Sequence, residues 1–255
     1  MKKSFINKNI YYLFGILLII VIWTITSLLF DENELIFPDI FSVFKEFIII
    51  LDSSYTYKCL FYTLIRMIEG YGVSLVHAII IGTISSISVR FRYIIKPYIT
   101  VLKTIPTASL VFFFIVLSGA RNAPLYIVML ICFPILYESM LAGYLNIDQT
   151  IDDVLLIEGG NSFIKIIKVR FPLALKELLI GISSSFGLAF KIEIMAEVIS
   201  GSTSNGLGSM INYIQKTDPT NMKGIFAYSM LAVMIALIFD AIIKNVNKDS
   251  WVLKE

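Results

Sequence analysis

Three charged residues lie close together near the end of a long apolar stretch. Lys191, Glu193 and Glu197 all belong to the apolar stretch 173–199. Glu193 and Glu197 are four residues apart and would share one face of a helix, whereas Lys191 would project elsewhere. Charged side chains at membrane depth are costly, so they normally face protein, water or an opposite charge. We therefore expect Glu197, with Lys191 or Glu193, to line a solute path or its outer gate.

Two alternatives for these charges stay open. The first is an interhelical salt bridge, with Arg66 or Lys103 as the cationic partner. The second is a proton or cation site at Glu193 and Glu197, which would make the chain a secondary transporter driven by an ion gradient. Such transporters are commonly built from inverted repeats, and the two halves of this chain show no self-similarity.

The sequence does not favour catalytic, metal or nucleotide chemistry. It has one histidine and two cysteines, and it contains neither G-x-x-x-x-G-K-[ST] nor G-x-S-x-G. We expect no enzymatic activity, no metal, no cofactor and no nucleic-acid partner. If ATP drives this protein, a separate subunit binds it.

Composition indicates an all-α integral membrane protein. Of the 255 residues, 57% are hydrophobic and only 16% are charged, with a mean hydropathy of +0.83. One soluble core could not bury that much apolar surface. Six stretches of about 20 apolar residues match the thickness of a bilayer. The predicted membrane spans are 10–30, 70–89, 97–117, 123–144, 173–199 and 224–243.

The segments between the spans differ in character. Residues 37–51 have the spacing of an interfacial amphipathic helix, and 57–68 form a second amphipathic stretch. The third span contains Lys103 and is broken at Pro106, a feature that often lines a cavity and is about as often a packing kink. Residues 200–223 are predicted to be a polar, glycine-rich loop.

The interval 146–172 has helical periodicity of its own. The first predicted helix includes Asp153, Val154 and Leu155, and Gly159-Gly160 ends it because glycine adopts positive φ without steric cost. A second short helix follows, with Phe163 on its apolar face. Pro172 closes the interval and can occupy the first turn of the next span. This pattern predicts a docking element, with an amphipathic connector as the alternative.

The distribution of basic residues predicts that both termini are cytoplasmic. With six spans and an inner N-terminus, thirteen Lys and Arg fall in inner segments and six, including Arg66, in outer ones. Basic residues concentrate in inner loops. The interval 146–172 would then be cytoplasmic.

Several phrases resemble one family of transport proteins. The interval 146–172 resembles the EAA loop of ABC importer permeases: Asp153-Val154-Leu155 replaces E-A-A, and Pro172 follows Gly159 by thirteen residues. Other phrases resemble those of the nitrate, sulfonate and taurine permease group, in order along the chain. They are Thr63-Leu64-Ile65-Arg66, Lys103-Thr104-Ile105-Pro106, Phe133-Pro134-Ile135, and Ala196-Glu197 followed by Gly206-Leu207-Gly208.

The resemblance implies a type I importer permease with six spans and a cytoplasmic coupling loop. Such a subunit forms a homodimer in the cell membrane, binds one ABC ATPase per copy, and receives solute from an external binding protein or lipoprotein. The implied coupling residues are Asp153, Val154, Leu155, Gly159, Gly160, Phe163 and Pro172. Gly206 and Gly208 would belong to the outer gate. The implied solute is nitrate, a sulfonate, a taurine-like compound or a vitamin precursor.

Overall fold

The computed structural model describes residues 8–30, 36–159, 162–201 and 205–249. Every regular element among these residues is a helix. Eleven α-helices are present in this part of the chain. They are α1 (Lys8–Leu29), α2 (Ile40–Asp52), α3 (Ser54–Ile87), α4 (Val89–Thr104), α5 (Thr107–Ser118), α6 (Ala123–Leu145), α7 (Gln149–Ile157), α8 (Ser162–Lys165), α9 (Phe171–Ser200), α10 (Leu207–Thr217) and α11 (Met222–Asp249). A π-helical turn, Ile166–Arg170, joins α8 to α9.

Four helices are long and apolar enough to cross a membrane. They are Ser54–Ile87, Ala123–Leu145, Ile166–Ser200 and Met222–Ile243. A fifth crossing is formed if α4 and α5 make one span, because the pair passes the same test together but is bent by 101°. Within α1, Leu13–Leu29 is a shorter apolar helix. The count of six spans therefore stays a prediction.

The core of the fold is a layer of three helices, with α6 between α3 and α9. Small residues allow close approach of α6 and α9. A Cβ added at Gly143 would lie 2.4 Å from the carbonyl oxygen of Ala174, and one added at Gly181 would lie 2.3 Å from the hydroxyl of Ser139. Tyr71 of α3 contacts the Ser185 hydroxyl of α9 at 2.8 Å. Buried tyrosine hydroxyls and glycine contacts thus fix how α9 sits against the other two helices.

The outer helices pack around this layer. The amphipathic helix predicted over 37–51 is α2, which is capped by Asp39 and buries Val43, Phe47 and Ile50. It packs mainly against α11. Trp23 of α1 donates a hydrogen bond to the carbonyl oxygen of Pro38 at 3.2 Å.

Two expected segments differ from the structure, and a third agrees with it. Residues 57–68 and the predicted second span belong to one helix, α3, so Arg66 lies inside a 34-residue helix and not in an outer connecting segment. The expected loop 200–223 contains α10, whose apolar residues pack onto α9 and α11. The local pattern missed both features because tertiary packing extended one helix and stabilised another. The break predicted at Pro106 is present, because α4 ends at Thr104 and α5 starts at Thr107 in a different direction.

Candidate functional site

Arg66 joins the two carboxylates of α9 in a buried ion cluster. Its Nε lies 3.2 Å from Oε1 of Glu193, and its Nη2 donates to Oε1 of Glu197. The side chains of Arg66, Glu193 and Glu197 are 12%, 0% and 1% exposed. Of the partners considered from sequence, the structure therefore brings Arg66 to the carboxylates. The cluster ties α3 to α9 through charge-assisted hydrogen bonds.

The same cluster holds the segment that starts α10. Glu197 accepts hydrogen bonds from the Thr63 hydroxyl at 2.9 and 3.1 Å, and from the amide of Gly208 at 2.8 Å. The Thr63 hydroxyl in turn accepts from the amide of Leu207 at 2.9 Å. Arg66 donates to the carbonyl oxygen of Asn205 at 2.9 Å. Residues 205–208, which we call the outer segment after the outer gate predicted for Gly206 and Gly208, are thus fastened to both helices.

A side chain at either of two glycines in the outer segment would meet closely packed atoms. A Cβ at Gly206 would lie 2.6 Å from both Nη2 of Arg66 and Oε1 of Glu197. A Cβ at Gly208 would lie 2.3 Å from the carbonyl oxygen of Ile194, which is backbone and cannot rotate away. Both glycines are buried. Residues 205–208 are therefore packed into the fold and are not part of a solvated loop.

The charges in the cluster do not balance. Two carboxylates face one guanidinium, and Oε2 of Glu193 is buried without a hydrogen-bond partner among the described residues. A buried carboxylate oxygen without a partner is unfavourable, because it loses its hydration without a compensating hydrogen bond.

Lys103 and Lys191 lie apart from the cluster. Lys103 pairs with Glu138 of α6 at 2.8 and 2.9 Å, and both side chains are half exposed. Pro106 is exposed at the bend between α4 and α5. Lys191 is exposed on another face of α9 and lines a groove that also contains Asp240. Sequence reasoning missed Asp240, although an acidic residue within the predicted span 224–243 was a signal that could have revealed it.

The opposite end of α9 carries the predicted coupling interval. Helix α7 ends at Ile157, and Gly159 follows with φ +66°, a left-handed conformation that favours glycine. Leu155 is buried and attaches α7 to the rest of the chain, whereas Leu156 and Ile157 are 78% and 86% exposed. Val154 and Asp153 are also exposed. Gly160 and the side chain of Phe163 lie outside the residues that the structure describes.

The coupling interval is continuous with α9. Lys165 donates a hydrogen bond to the carbonyl oxygen of Leu155. The π-helical turn then leads directly into α9, with Pro172 exposed in its first turn. Pro172 thus lies in the first turn of α9, as predicted, and the π-helical turn joins the preceding residues to it as one rod, Ile166–Ser200.

Asp148 caps the start of α7. Its carboxylate accepts from the Thr150 hydroxyl at 2.5 Å and from the Thr150 amide at 2.7 Å. These two hydrogen bonds lower the pKa of Asp148 below its ordinary value of 3.8. The capping carboxylate is therefore ionised at neutral pH.

The described residues contain no group of three or more His, Cys, Asp or Glu side chains that could hold a metal ion. Cys59 and Cys132 are both free and buried. A buried thiol away from a metal or catalytic partner behaves as a small apolar side chain.

Comparison with known proteins agrees with this architecture. Residues 74–251 match the family of binding-protein-dependent transport system inner membrane components. The chain is 25% identical over 250 residues to the putative aliphatic sulfonates transport permease protein SsuC of Bacillus subtilis (strain 168), covering 95% of this chain and 88% of that protein.

Solved structures share the fold at low identity. The MetNI methionine ABC transporter in inward-facing conformations matches with a TM-score of 0.64 at 14% identity, over 75% of this chain and 96% of that chain. An amino acid ABC transporter solved with histidines gives 0.64 at 15% identity, over 76% and 93%. A bacterial ABC transporter that imports alginate gives 0.62 at 12% identity, over 94% and 96%.

These similarities confirm the predicted all-α importer-permease fold and displace the alternative of an ion-gradient-driven transporter. The family consists of transport permeases and not of enzymes. The chain belongs to the binding-protein-dependent transport system inner membrane components, and it is the multi-pass permease subunit of an ABC importer.

Proposed function

We propose that this permease works as a homodimer whose two copies each dock one cytoplasmic ABC ATPase through α7 and receive solute from an external binding protein. Both termini would be cytoplasmic, as the bias of basic residues predicts. ATP is bound by the ATPase, and the permease needs no cofactor of its own. The observation that carries this proposal is the exposed apolar surface of α7 at the base of α9.

The chemistry of α7 suits docking into a groove. Leu156 and Ile157 point out of the chain, while Leu155 holds the helix in place. Covering one such side chain contributes about 1.5–3 kcal/mol. A capped helix with two large exposed apolar residues is therefore a natural partner for an apolar groove on another subunit.

The outer end of the same rod would control access to the path. Glu193 and Glu197 lie on α9, so a movement of α9 changes their relation to Arg66 and to the outer segment. Closure of two ATPases around ATP would move α7 and rock α9. In this proposal the cluster acts as the outer gate, with Gly206 and Gly208 as its close-packed contacts.

The solute is proposed from the most informative relative. Similarity to a putative aliphatic sulfonates permease favours a sulfonate within the wider range of nitrate, taurine-like compounds and vitamin precursors. The binding protein would supply most of the selectivity.

The docking proposal is tested by co-expressing the chain with its ATPase. We expect Leu156→Asp and Ile157→Asp to reduce ATPase co-purification and ATP-driven uptake at least tenfold, because a carboxylate cannot enter an apolar groove without cost. Tyr213→Asp on α10 is the matched control, since Tyr213 is a large apolar residue that is 60% exposed at the other end of α9. Wild-type co-purification by both α7 variants would disprove docking through this helix.

A further inference from the structure

Two hollows adjoin where the end of α3 meets the predicted coupling interval. The first, of about 400 Å³, is lined by α3, by Tyr144 of α6 and by the start of the rod Ile166–Ser200. The second, of about 370 Å³, is lined mainly by the coupling interval and the π-helical turn. Ile87 and Ile166 line both hollows, so the two form one continuous surface, which we call the basal groove.

The first hollow offers a ligand contact with hydrocarbon. Ile80 and Ile87 in its wall are 52% and 57% exposed. Its two hydroxyls, those of Thr83 and Tyr144, lie 3.1 Å apart. Thr83 donates to the carbonyl oxygen of Ile79 at 2.7 Å, so Tyr144 is the donor to Thr83. Both hydroxyls are thus satisfied within the protein and do not call for a polar ligand.

The second hollow is cationic. Lys165 and Arg170 line it, and its described lining residues include no acid. Lys165 uses one of its three ammonium protons on the carbonyl oxygen of Leu155, so the same ammonium can also contact an anion. The acidic residues Asp153 and Glu158 of α7 are exposed and do not line this hollow.

The basal groove has the dimensions of one leaflet of a bilayer. Its α3 wall extends from Ile79 to Ile87, a rise of about 12 Å, whereas half of a hydrocarbon core is about 15 Å thick. Beyond Ile87 the basic residues Arg90 and Arg92 follow. Arg92 turns back and donates to the carbonyl oxygen of Ser85 at 3.0 Å. The cationic hollow therefore lies where the headgroup region would begin.

We propose that the basal groove binds an anionic phospholipid, with an acyl chain in the apolar hollow and the headgroup phosphate at Lys165 and Arg170. Adjoining apolar and cationic hollows select hydrocarbon and phosphate together. Basic pockets between membrane helices bind anionic lipid headgroups in this way. That the lipid belongs to the inner leaflet rests on the proposed function, which places residues 146–172 in the cytoplasm.

Charge and depth together favour a lipid over the other occupants. A free anion would leave the apolar hollow uncovered. An ATPase subunit could reach the cationic hollow but not the apolar one, because the apolar hollow lies along the membrane-crossing helices Ser54–Ile87 and Ile166–Ser200. A phospholipid satisfies both halves of the groove from within the bilayer.

Lipid titration of the purified, full-length permease in a non-ionic detergent, with and without its ATPase bound, tests this assignment by native mass spectrometry. The probes are phosphatidylglycerol and phosphatidylcholine with identical acyl chains. We expect phosphatidylglycerol to bind at least about tenfold more tightly than phosphatidylcholine, because its net negative charge meets two cations. Equal affinity for the two lipids would overturn the proposal. Loss of the preference when the ATPase is bound would assign the groove to that subunit and would also overturn it.

Soluble glycerol phosphate, which has the headgroup chemistry without acyl chains, separates a lipid site from a site for a free anion. We expect an excess of glycerol phosphate to leave phosphatidylglycerol bound. Displacement of the lipid by glycerol phosphate would overturn the proposal in favour of a free phosphate.

One pair of variants tests the headgroup contact. Lys165→Met should weaken phosphatidylglycerol at least about fivefold and leave phosphatidylcholine unchanged, whereas Lys165→Arg should keep the wild-type preference. Lys168→Met is the matched control, since Lys168 is an exposed lysine about one turn further along that does not line the groove. Equal losses in Lys165→Met and Lys168→Met would indicate diffuse surface attraction and would refute a defined site.

A second pair tests the acyl-chain contact without touching a charge. Ile84→Trp should fill the apolar hollow and weaken phosphatidylglycerol at least about fivefold. Ile94→Trp on α4, at a position that is 60% exposed and outside the groove, should bind it like the wild type. Wild-type affinity in either Lys165→Met or Ile84→Trp would refute the assignment.

The titration measures neither ATP hydrolysis nor uptake, and it does not depend on which side of the membrane the groove faces. Lipid preference retained in a permease that fails to bind its ATPase would therefore count against the proposed docking and not against the basal groove.

Discussion

Removing the guanidinium of Arg66 tests the energetic role of the ion cluster. Arg66→Met keeps the length of the side chain but leaves Glu193 and Glu197 buried without their cation. The substitution removes three charge-assisted hydrogen bonds, to Glu193, to Glu197 and to the carbonyl oxygen of Asn205. At about 1.5–3 kcal/mol each, their nominal sum exceeds 4 kcal/mol. Because uptake of a proton relieves part of the repulsion, we expect a loss of about 3–5 kcal/mol, as for other broken buried pairs.

The measurement is reversible unfolding of the permease in mixed micelles, compared with the wild type. A second variant, Arg66→Met with Glu193→Gln and Glu197→Gln, removes both negative charges as well. It should recover most of the lost stability, since replacing a whole buried ion cluster by neutral groups is often nearly neutral. The single variant should also make the outer segment more accessible to protease than the triple variant does.

Two results would refute this reasoning. A loss below about 1 kcal/mol in Arg66→Met would mean that the pairs are no stronger than surface salt bridges. A triple variant as unstable as the single one would mean that Arg66 stabilises the fold through packing of its aliphatic stem and not through charge.

Three further perturbations have defined outcomes. Gly208→Ala should lower the free energy of unfolding by about 1–3 kcal/mol, because the added methyl group would overpack against the Ile194 carbonyl. The control Gly72→Ala has nothing within 4 Å of the added Cβ and should change stability by less than about 1 kcal/mol. Equal losses of stability in the two variants on thermal unfolding would contradict the overpacking at Gly208. Gly159→Val should destabilise the turn by about 1–2 kcal/mol, because valine does not readily adopt the positive φ of Gly159, and it should lower ATP-driven uptake. Uptake at the wild-type rate would argue against a need for this turn. The stabilisation of α7 by the Asp148 carboxylate should be fully present above pH 3.8 and be lost as pH falls through the lowered pKa of Asp148. Hydrogen exchange of the α7 amides should therefore accelerate only below pH 3.8. Acceleration already between pH 6 and 5 would exclude this cap as the cause.

The sequence was most informative where local chemistry alone decides structure. The apolar length of α6 and the glycine turn at Gly159 follow from bilayer thickness and from backbone sterics. The break at Pro106 follows equally directly, because proline cannot continue the hydrogen-bond ladder of α4. The predicted partnership of Arg66 with the carboxylates was one of two possibilities, and only the packing of α3 against α9 selects it.

Long-range packing explains what the sequence did not reveal. Residues 207–217 read as part of a polar loop, yet α10 is stabilised by contacts with α9 and α11 and by hydrogen bonds to Thr63 and Glu197. Those partners are 144 and 11 residues away in the chain, so no local pattern could identify them. Asp240 was overlooked for a similar reason, since its significance depends on Lys191 lining the same groove.

The positions of these features on α9 argue for a mechanical link across the membrane. The rod Ile166–Ser200 begins at the predicted coupling interval, passes the groove lined by Lys191 and Asp240, and ends at the ion cluster. Its 35 residues would span about 50 Å. Gly143 and Gly181 bring this rod so close to α6 that the rod cannot bend at these contacts without a clash. A displacement of α7 should therefore appear as rotation or translation of the rod at Glu193 and Glu197. The π-helical turn at Ile166–Arg170 is the one described irregularity along this rod, and such turns are common at functional positions. We therefore expect any local adjustment during transport to occur there, while the helix beyond it moves as a unit.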